Sequence, residues 1–468
     1  MRRRQQGGRD VLHDRMLAPV VRLHALRGER PDDLVCRRAC RSALLMKKKK
    51  AIGLAIAITA VSTFFAINLL SGAKTLEHTL RVDYGVRDPQ FARALGSLLG
   101  PGVQSGNEVV GYQNGVEIFP PMLAAIRGAQ QSITFETYIY WSGDIGREFA
   151  DALSDRARAG VRVHVLLDWA GSGKMDDTLL AAMSDAGVEI EKYHPIAWYS
   201  LDRINNRTHR KILVVDGKVA FTGGVGIADQ WTGDADSPEH WRDAHFRVAG
   251  PVAAQMQTAF MENWLELRPE VLHDQRYFPA IEPVGNAQAQ VYSSSPDGGS
   301  ANMRLLYLLA ISAAKDTIHL ANSYFVPDDV SVEALASAAK RGVRIEILVP
   351  GPVMDVKIVQ KASRSRWGGL LEAGIAIYEY QPTMMHTKVM IVDSFFVSVG
   401  STNFDDRSFR LNDETNLNLM DGEFARRQVD VFQEDVRASH LVTLADWQNR
   451  PRREKFNEWL AGLLRRQL

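Results

Sequence analysis

Two short stretches of the chain carry the same reactive residues at the same spacing. His209, Lys211, Asp216 and Gly223 stand in the order H-x-K-x4-D-x6-G, and His386, Lys388, Asp393 and Gly400 repeat that order without insertion. Between Lys and Asp lie Ile-Leu-Val-Val in the first copy and Val-Met-Ile-Val in the second, so each motif is predicted on a short apolar strand. Residues two apart share a strand face, which points His and Lys the same way in each copy. Imidazole acts as nucleophile or acid/base near neutral pH, and ammonium is a point charge for a phosphate oxygen. Two such pairs in one site suit double displacement at a phosphodiester, one histidine attacking phosphorus and the other protonating the departing alcohol. A lone H-x-K reads as an exposed edge strand; its repetition at one spacing argues against that. Asp216 and Asp393 are carried with the catalytic set because they belong to the motif. Their odd offset from the histidines, and the turn signal of Asp216-Gly217, favour a structural role for both.

More polar groups follow each motif. Ser401 and Asn403 are expected to bind substrate, as a hydroxyl and an amide near phosphate oxygens, although turn stabilisation would use them equally well. The first copy has Gly224 and Gly226 at those two positions, so the site is expected to be asymmetric.

The elements that must hold these residues alternate between strand and helix. Strands are predicted at 132–140, 161–167 and 188–193, with helices at 146–159 and 179–186. The order recurs as strands at 317–326, 342–349 and 375–380, with helices at 332–340 and 367–373. Gly160-Val-Arg-Val and Gly342-Val-Arg-Ile mark the same place in the two halves. Two mixed sheets flanked by helices and related by a pseudo-twofold would bring both His-Lys strands to one cleft. The predicted division is a tail over 1–45, an anchor over 46–72 and a linker over 73–105. A first repeat over 106–268, a joint over 269–300 rich in Pro and Gly, a second repeat over 301–440 and a C-terminal helix over 441–468 complete it.

This doubled motif resembles the signature of the phospholipase D superfamily, and the stretch from about residue 105 to the end is most similar to its bacterial cardiolipin synthase branch. The resemblance implies an α/β fold of two pseudo-symmetric phospholipase D-like α/β/α repeats sharing one central active-site cleft. It also implies that Glu414 and Asp243 orient the histidines, with His209 the nucleophile and His386 the acid/base. The expected reaction joins two phosphatidylglycerols into cardiolipin through a phosphohistidine. Hydrolysis to phosphatidic acid, a nuclease and a catalytically dead lipid-binding scaffold are the alternatives. No cofactor and no metal are expected, because two lysines supply the charge.

Composition bounds the partners. The net charge of +1 hides a basic head: residues 1–50 carry 15 Lys and Arg against 5 Asp and Glu, leaving an acidic body that argues against nucleic acid as partner. Cys36 and Cys40, the two cysteines, read as incidental. Ala51 to Leu70 is uncharged and follows Lys47–Lys50, so one transmembrane helix is expected to precede the repeats. An uncleaved anchor is preferred over a signal peptide. The positive-inside rule would place the body outside. With the resemblance, that means the outer, periplasmic side of a bacterial inner membrane, and the resemblance implies phosphatidylglycerol as substrate. Met46 resembles a start, which makes 1–45 a disordered tail or a mis-assigned start. Trp198-Tyr199 and Tyr324-Phe325 are candidate rims for an acyl-chain entrance. Phe456, Trp459, Leu460, Leu463 and Leu464 form one helical face beside arginines, suited either to anionic lipid or to docking on the body.

Overall fold

The computed structural model describes residues 46–63, 78–195, 206–295 and 302–468. Residues 72–468 form one compact unit, and the helix over 46–63 belongs to a separate one.

The strands are β1 (Gln104–Gln113), β2 (Ser132–Thr137), β3 (Arg162–Asp168), β4 (Glu189–Tyr193), β5 (Arg207–Thr208), β6 (Ile212–Val215), β7 (Val219–Gly223), β8 (Ala244–Ala249) and β9 (Ala287–Ser294). They continue with β10 (Thr317–Asn322), β11 (Phe325–Val326), β12 (Arg344–Pro350), β13 (Ala376–Tyr380), β14 (Lys388–Val392), β15 (Phe396–Gly400), β16 (Phe404–Asp405), β17 (Asn412–Met420) and β18 (Ser439–Val442). The first half runs β1-β8-β7-β6-β2-β3-β4 and the second β9-β17-β15-β14-β10-β12-β13, the same order with the same parallel and antiparallel steps. Contrary to the expectation of two sheets, the halves join through an antiparallel β1–β9 pair into one continuous sheet. β9 lies inside the stretch expected to be only a joint, where flanking Pro and Gly hide its apolar alternation.

Both sheet faces are covered. Ile212 and Val214 of β6 join Val397 and Val399 of β15 in a cluster that spans both halves, closed by Phe260 and Phe424 of the helices Ala253–Leu267 and Gly422–Arg437. The alternate residues Leu213 and Val215 pack under the outer helices of the first half, and Met390 and Val392 under those of the second. Period-two alternation with both faces buried explains why the motif strands read as unbroken apolar runs.

Asp216 and Asp393 are not in the cleft, which corrects their place among the catalytic residues. Asp216 accepts the backbone N–H of Gln130, Gln131 (2.7 Å) and Ser132 (3.0 Å), and Asp393 those of Lys315 (2.9 Å), Asp316 (2.8 Å) and Thr317 (2.9 Å). Each carboxylate therefore ties the β6–β7 or β14–β15 hairpin to the chain entering the neighbouring strand, β2 or β10. Asp216, Gly217, Asp393 and Ser394 all take left-handed φ, which Gly and Asp tolerate in tight hairpin turns.

The expected transmembrane helix is overturned: among the described residues no helix is long and apolar enough to cross a membrane. The helix over 46–63 begins with Lys47–Lys50. The uncharged residues described in it, 51–63, cover roughly 20 Å against a hydrocarbon core of roughly 30 Å. Residues 64–70 of the expected span lie outside the described residues. The single-pass inner-membrane placement and the outer-side body, both derived from that span, fall with it. The tail over 1–45 and Trp198-Tyr199 also lie outside the described residues.

The role of Asp393 yields a stability prediction. Asp393→Ala strips the acceptor from three backbone N–H groups and should lower unfolding free energy by about 3 kcal/mol. Asp393→Asn, which keeps one acceptor oxygen and tolerates φ > 0, should cost less. Urea midpoints measure both; turnover per folded molecule should be unchanged.

Candidate active site

The two histidines precede their strands rather than lying on them. Residues 207–208, just before His209, form β5, which pairs in parallel with β17 of the other half, Arg207 opposite Asn412 and Thr208 opposite Asp413. Met385, just before His386, bridges to Arg242 of the first half. Each histidine backbone N–H then crosses the pseudo-twofold: His209 donates to the Asp413 carbonyl (2.9 Å) and His386 to the Arg242 carbonyl (2.7 Å). The next residue in each case is a carboxylate, Glu414 or Asp243.

The side chains cross in the same way. His209 Nδ1 lies 3.0 Å from both carboxylate oxygens of Glu414, and His386 Nδ1 lies 2.8 Å from Asp243 Oδ2. Glu414 and Asp243 occupy matching ladder positions, because Ser401 N–H meets the Thr415 carbonyl as Gly224 N–H meets that of Ala244. An ionised carboxylate only accepts, so each ring carries its hydrogen on Nδ1 and leaves Nε2 free of the carboxylate.

Two buried arginines fix the crossing segments. Arg210, between the motif His and Lys, turns to the opposite face and donates to Glu262 (2.8 Å) and the Ser294 carbonyl (3.1 Å). Arg242 makes a bidentate pair with Asp435, 2.9 Å on both arms, holding the segment that presents Asp243.

The lysines sit beside the rings. Lys211 Nζ donates to the His209 carbonyl (2.8 Å). Lys388 Nζ donates to the His386 carbonyl and to Ser323 Oγ, both 2.6 Å. Asn403 lines the cavity, and its Oδ1 accepts from Ser323 Oγ at 2.9 Å. Ser401 is placed differently from its expected substrate-binding position: it is fully buried and donates to Glu414 Oε2 at 2.5 Å, so it positions the carboxylate. The glycines of the first copy follow from the same comparison. A Cβ on Gly224 would lie 2.1 Å from Asp243 Oδ1, and one on Gly226 2.9 Å from Ile139. Aspartate is a methylene shorter than glutamate, so the first half brings its backbone up to the carboxylate where the second interposes a serine.

Burial and mutual repulsion set the charges. Burial first, then Lys388, pulls Lys211 down to about 7, and burial pulls Lys388 down to about 8. Burial pushes His209 down to about 4 against the opposing pull of Glu414, and burial with Lys388 lowers His386. Burial pushes Glu414 and Asp243 up, but the histidine partner, the nearby lysine and the hydrogen bonds from Ser401 or the Ala244 N–H together hold both below the ordinary carboxylate value. At neutral pH each pair is a neutral imidazole on a carboxylate.

A cavity of about 510 Å³ opens onto both histidines. Its walls include residues that no motif spacing marks. Tyr138 packs edge-on to His209 at 5.3 Å, and Trp231 and Trp241 flank His386 at 5.4 and 5.6 Å. Trp231 Nε1 also donates to Asp243 Oδ2 at 2.8 Å. Tyr324 lines the cavity and donates to Asp355 Oδ2 at 2.5 Å, whereas Phe325, paired with it as a rim, is core. The arrangement can hold one phosphodiester between two imidazoles, with two ammonium groups near its oxygens.

Comparison with known proteins agrees with this geometry. The family described as "Cardiolipin synthase, PLD-like domain" matches residues 122–264 and 307–436, one match around each motif. A cardiolipin synthase of Geobacillus kaustophilus is 36% identical over 354 residues, 75% of this chain and 70% of the relative. One from Staphylococcus aureus (strain Mu50) is 32% identical over 361 residues, 76% and 73% of the two chains. In fold alone, the phosphatidylserine synthase of Haemophilus influenzae superposes with a TM-score of 0.62 at 14% identity, covering 81% of this chain and all of that one. Matched twice over, once per motif, and across most of its length by those relatives, the chain belongs to the cardiolipin synthase family of the phospholipase D superfamily, whose reaction on phospholipids is phosphodiester transfer or hydrolysis.

Proposed function

We propose that this protein is a phosphatidyltransferase that makes cardiolipin from two molecules of phosphatidylglycerol through a phosphohistidine. The observation that carries the reading is the crossed pair of carboxylate-bound histidines facing one cavity. In the first step His209 Nε2 attacks phosphorus, the bond from phosphorus to the glycerol oxygen breaks, and that oxygen takes a proton from His386. In the second, the primary hydroxyl of another phosphatidylglycerol gives its proton to His386, and its oxygen displaces His209. The assignment of His209 as nucleophile follows the family resemblance, and its low basicity keeps the ring neutral for attack.

Charge balance supports the roles. Lys211 and Lys388 offset Glu414 and Asp243, so the added charge of one phosphodiester is matched by one proton, which His386 takes as the acid. A bound phosphate also counters the lysine repulsion that lowers His386, favouring its protonation when substrate is present. Lys211, Lys388 and Asn403 hold the non-bridging oxygens, while Glu414 and Asp243 fix tautomer and ring orientation and stabilise the imidazolium.

Three measurements test the reading. Purified protein given phosphatidylglycerol should yield cardiolipin and free glycerol, and His209→Ala should yield neither; phosphatidic acid as sole lipid product would make it a hydrolase. Glu414→Gln and Asp243→Asn should each fold and lower kcat by about 10²–10⁴-fold, since an amide no longer holds the tautomer. Full activity in either would remove the carboxylate from the mechanism. On a water-soluble short-chain phosphatidylglycerol, kcat/KM should fall as pH rises, first because His386 loses the proton it gives to the leaving oxygen and then, through about 7 to 8, because the lysines lose the protons that grip phosphate. It should fall again as pH drops toward 4, because His209 gains one. A flat alkaline side would deny the lysines that part.

A further inference from the structure

The helix Arg452–Gly462 and the turn after it are attached to the body with their apolar side outward. Phe456, Trp459, Leu460 and Leu463 follow helical i, i+3, i+4, i+7 spacing, and with Leu464 they are 48–60% exposed. The opposite side is the buried one: Glu458 and Ala461 are each 3% exposed. Glu458 accepts from Arg450 Nε at 2.6 Å, and Arg465 pairs with Asp329 at 2.9 Å. A Cβ on Gly462 would approach Ser365 Oγ to 3.0 Å, so the helix packs close against the helix Lys357–Arg364. A helix docked for its own stability would present these faces the other way round.

The surroundings identify what covers it. Val356 and Ile358, at the start of that neighbouring helix, are also 36% and 39% exposed, and Val356 lines the cavity of the candidate site together with Gln467 and Leu468, the residues that end the turn after the strip. The strip thus reaches the cavity mouth. The same elements are basic on balance, with Arg452, Arg453, Lys455 and Arg466 against the exposed Glu454 on one and Lys357 and Lys361 on its neighbour. Apolar residues bordered by cations complement an anionic lipid surface.

We propose that this face lies on an anionic phospholipid bilayer, with the apolar side chains in the headgroup boundary, and that it sets the cavity mouth against the lipid it draws from. The binding surface stands on its own geometry; only the direction of substrate entry rests on the phospholipid reading above.

The test uses the full chain with vesicles of phosphatidylcholine, alone or mixed with phosphatidylglycerol. Hydrogen exchange over 452–466 should slow on mixed vesicles and less on phosphatidylcholine alone. The double variant Trp459→Glu/Leu463→Glu changes only outward side chains. It should lose that protection and bind mixed vesicles at least about tenfold more weakly, each removed anchor being worth on the order of tenfold. The exposed Leu98→Glu, on another helix, should bind as wild type does. Turnover of short-chain phosphatidylglycerol in solution should change less than about twofold in the double variant, while turnover on vesicles falls. Unslowed exchange over 452–466, or unaltered protection in the double variant, overturns the proposal. So does a dimer that the double variant dissociates without loss of vesicle protection, which would make a second copy the occupant. If wild type turns over no phospholipid yet the segment is protected on anionic vesicles, the docking face stands and the catalytic reading fails.

Discussion

The structure turns on an exchange between its halves: neither half can orient its own histidine. His209 takes its carboxylate from β17 and His386 takes its own from the segment before β8. The exchange is made by backbone, since each histidine N–H donates to the carbonyl just ahead of the opposite carboxylate. Main-chain pairing is stiff and short in reach, so it sets the register of ring and carboxylate more firmly than side chains alone could. The continuous sheet through β1 and β9, and the apolar cluster shared by β6, β15 and two helices, keep the halves in that register.

Because the site lies on a pseudo-twofold, its departures from symmetry carry information. Ser401 positions Glu414, while Gly224 leaves room for Asp243, which takes Trp231 and the Ala244 N–H as further partners. The two imidazoles therefore share a tautomer but differ in surroundings. His386 has two indoles and the Lys388 ammonium close by, and His209 has the Tyr138 ring. Different roles for chemically identical groups need such a difference in environment.

The polar groups are costly to bury and are held in a connected set. Lys388, Ser323 and Asn403 form one chain of hydrogen bonds, and Ser401, Glu414 and His209 another. In a low-dielectric site such groups reinforce one another when all are satisfied, and the same burial that weakens the lysines strengthens their hold on an incoming anion.

Much of this was legible in the residues alone. The repeated H-x-K-x4-D-x6-G, the apolar runs inside it and the paired Gly-Val-Arg marks determined two similar α/β halves and named the histidines and lysines, because local periodicity and spacing are properties of the chain itself. The odd offset of Asp216 and Asp393 favoured a structural role over the catalytic one their motif suggested, but did not tell which backbone N–H groups they accept from. What spacing cannot hold is which distant residues meet. The crossing of Glu414 to His209 and of Asp243 to His386 depends on pairing across more than a hundred residues, and the use of Ser401 as a positioning group and the placing of Tyr138, Trp231 and Asp355 depend on how separate elements pack. The outward face of the C-terminal helix was equally open in sequence, since a helical stripe looks the same whether it meets a core or a membrane. The apolar stretch at 51–70 is a related case: hydropathy reports that a segment can be buried in lipid, whereas among the described residues no helix is long and apolar enough to cross a membrane. Sequence determines local pattern and chemistry, and only the fold decides contacts, because those depend on the register between elements far apart in the chain.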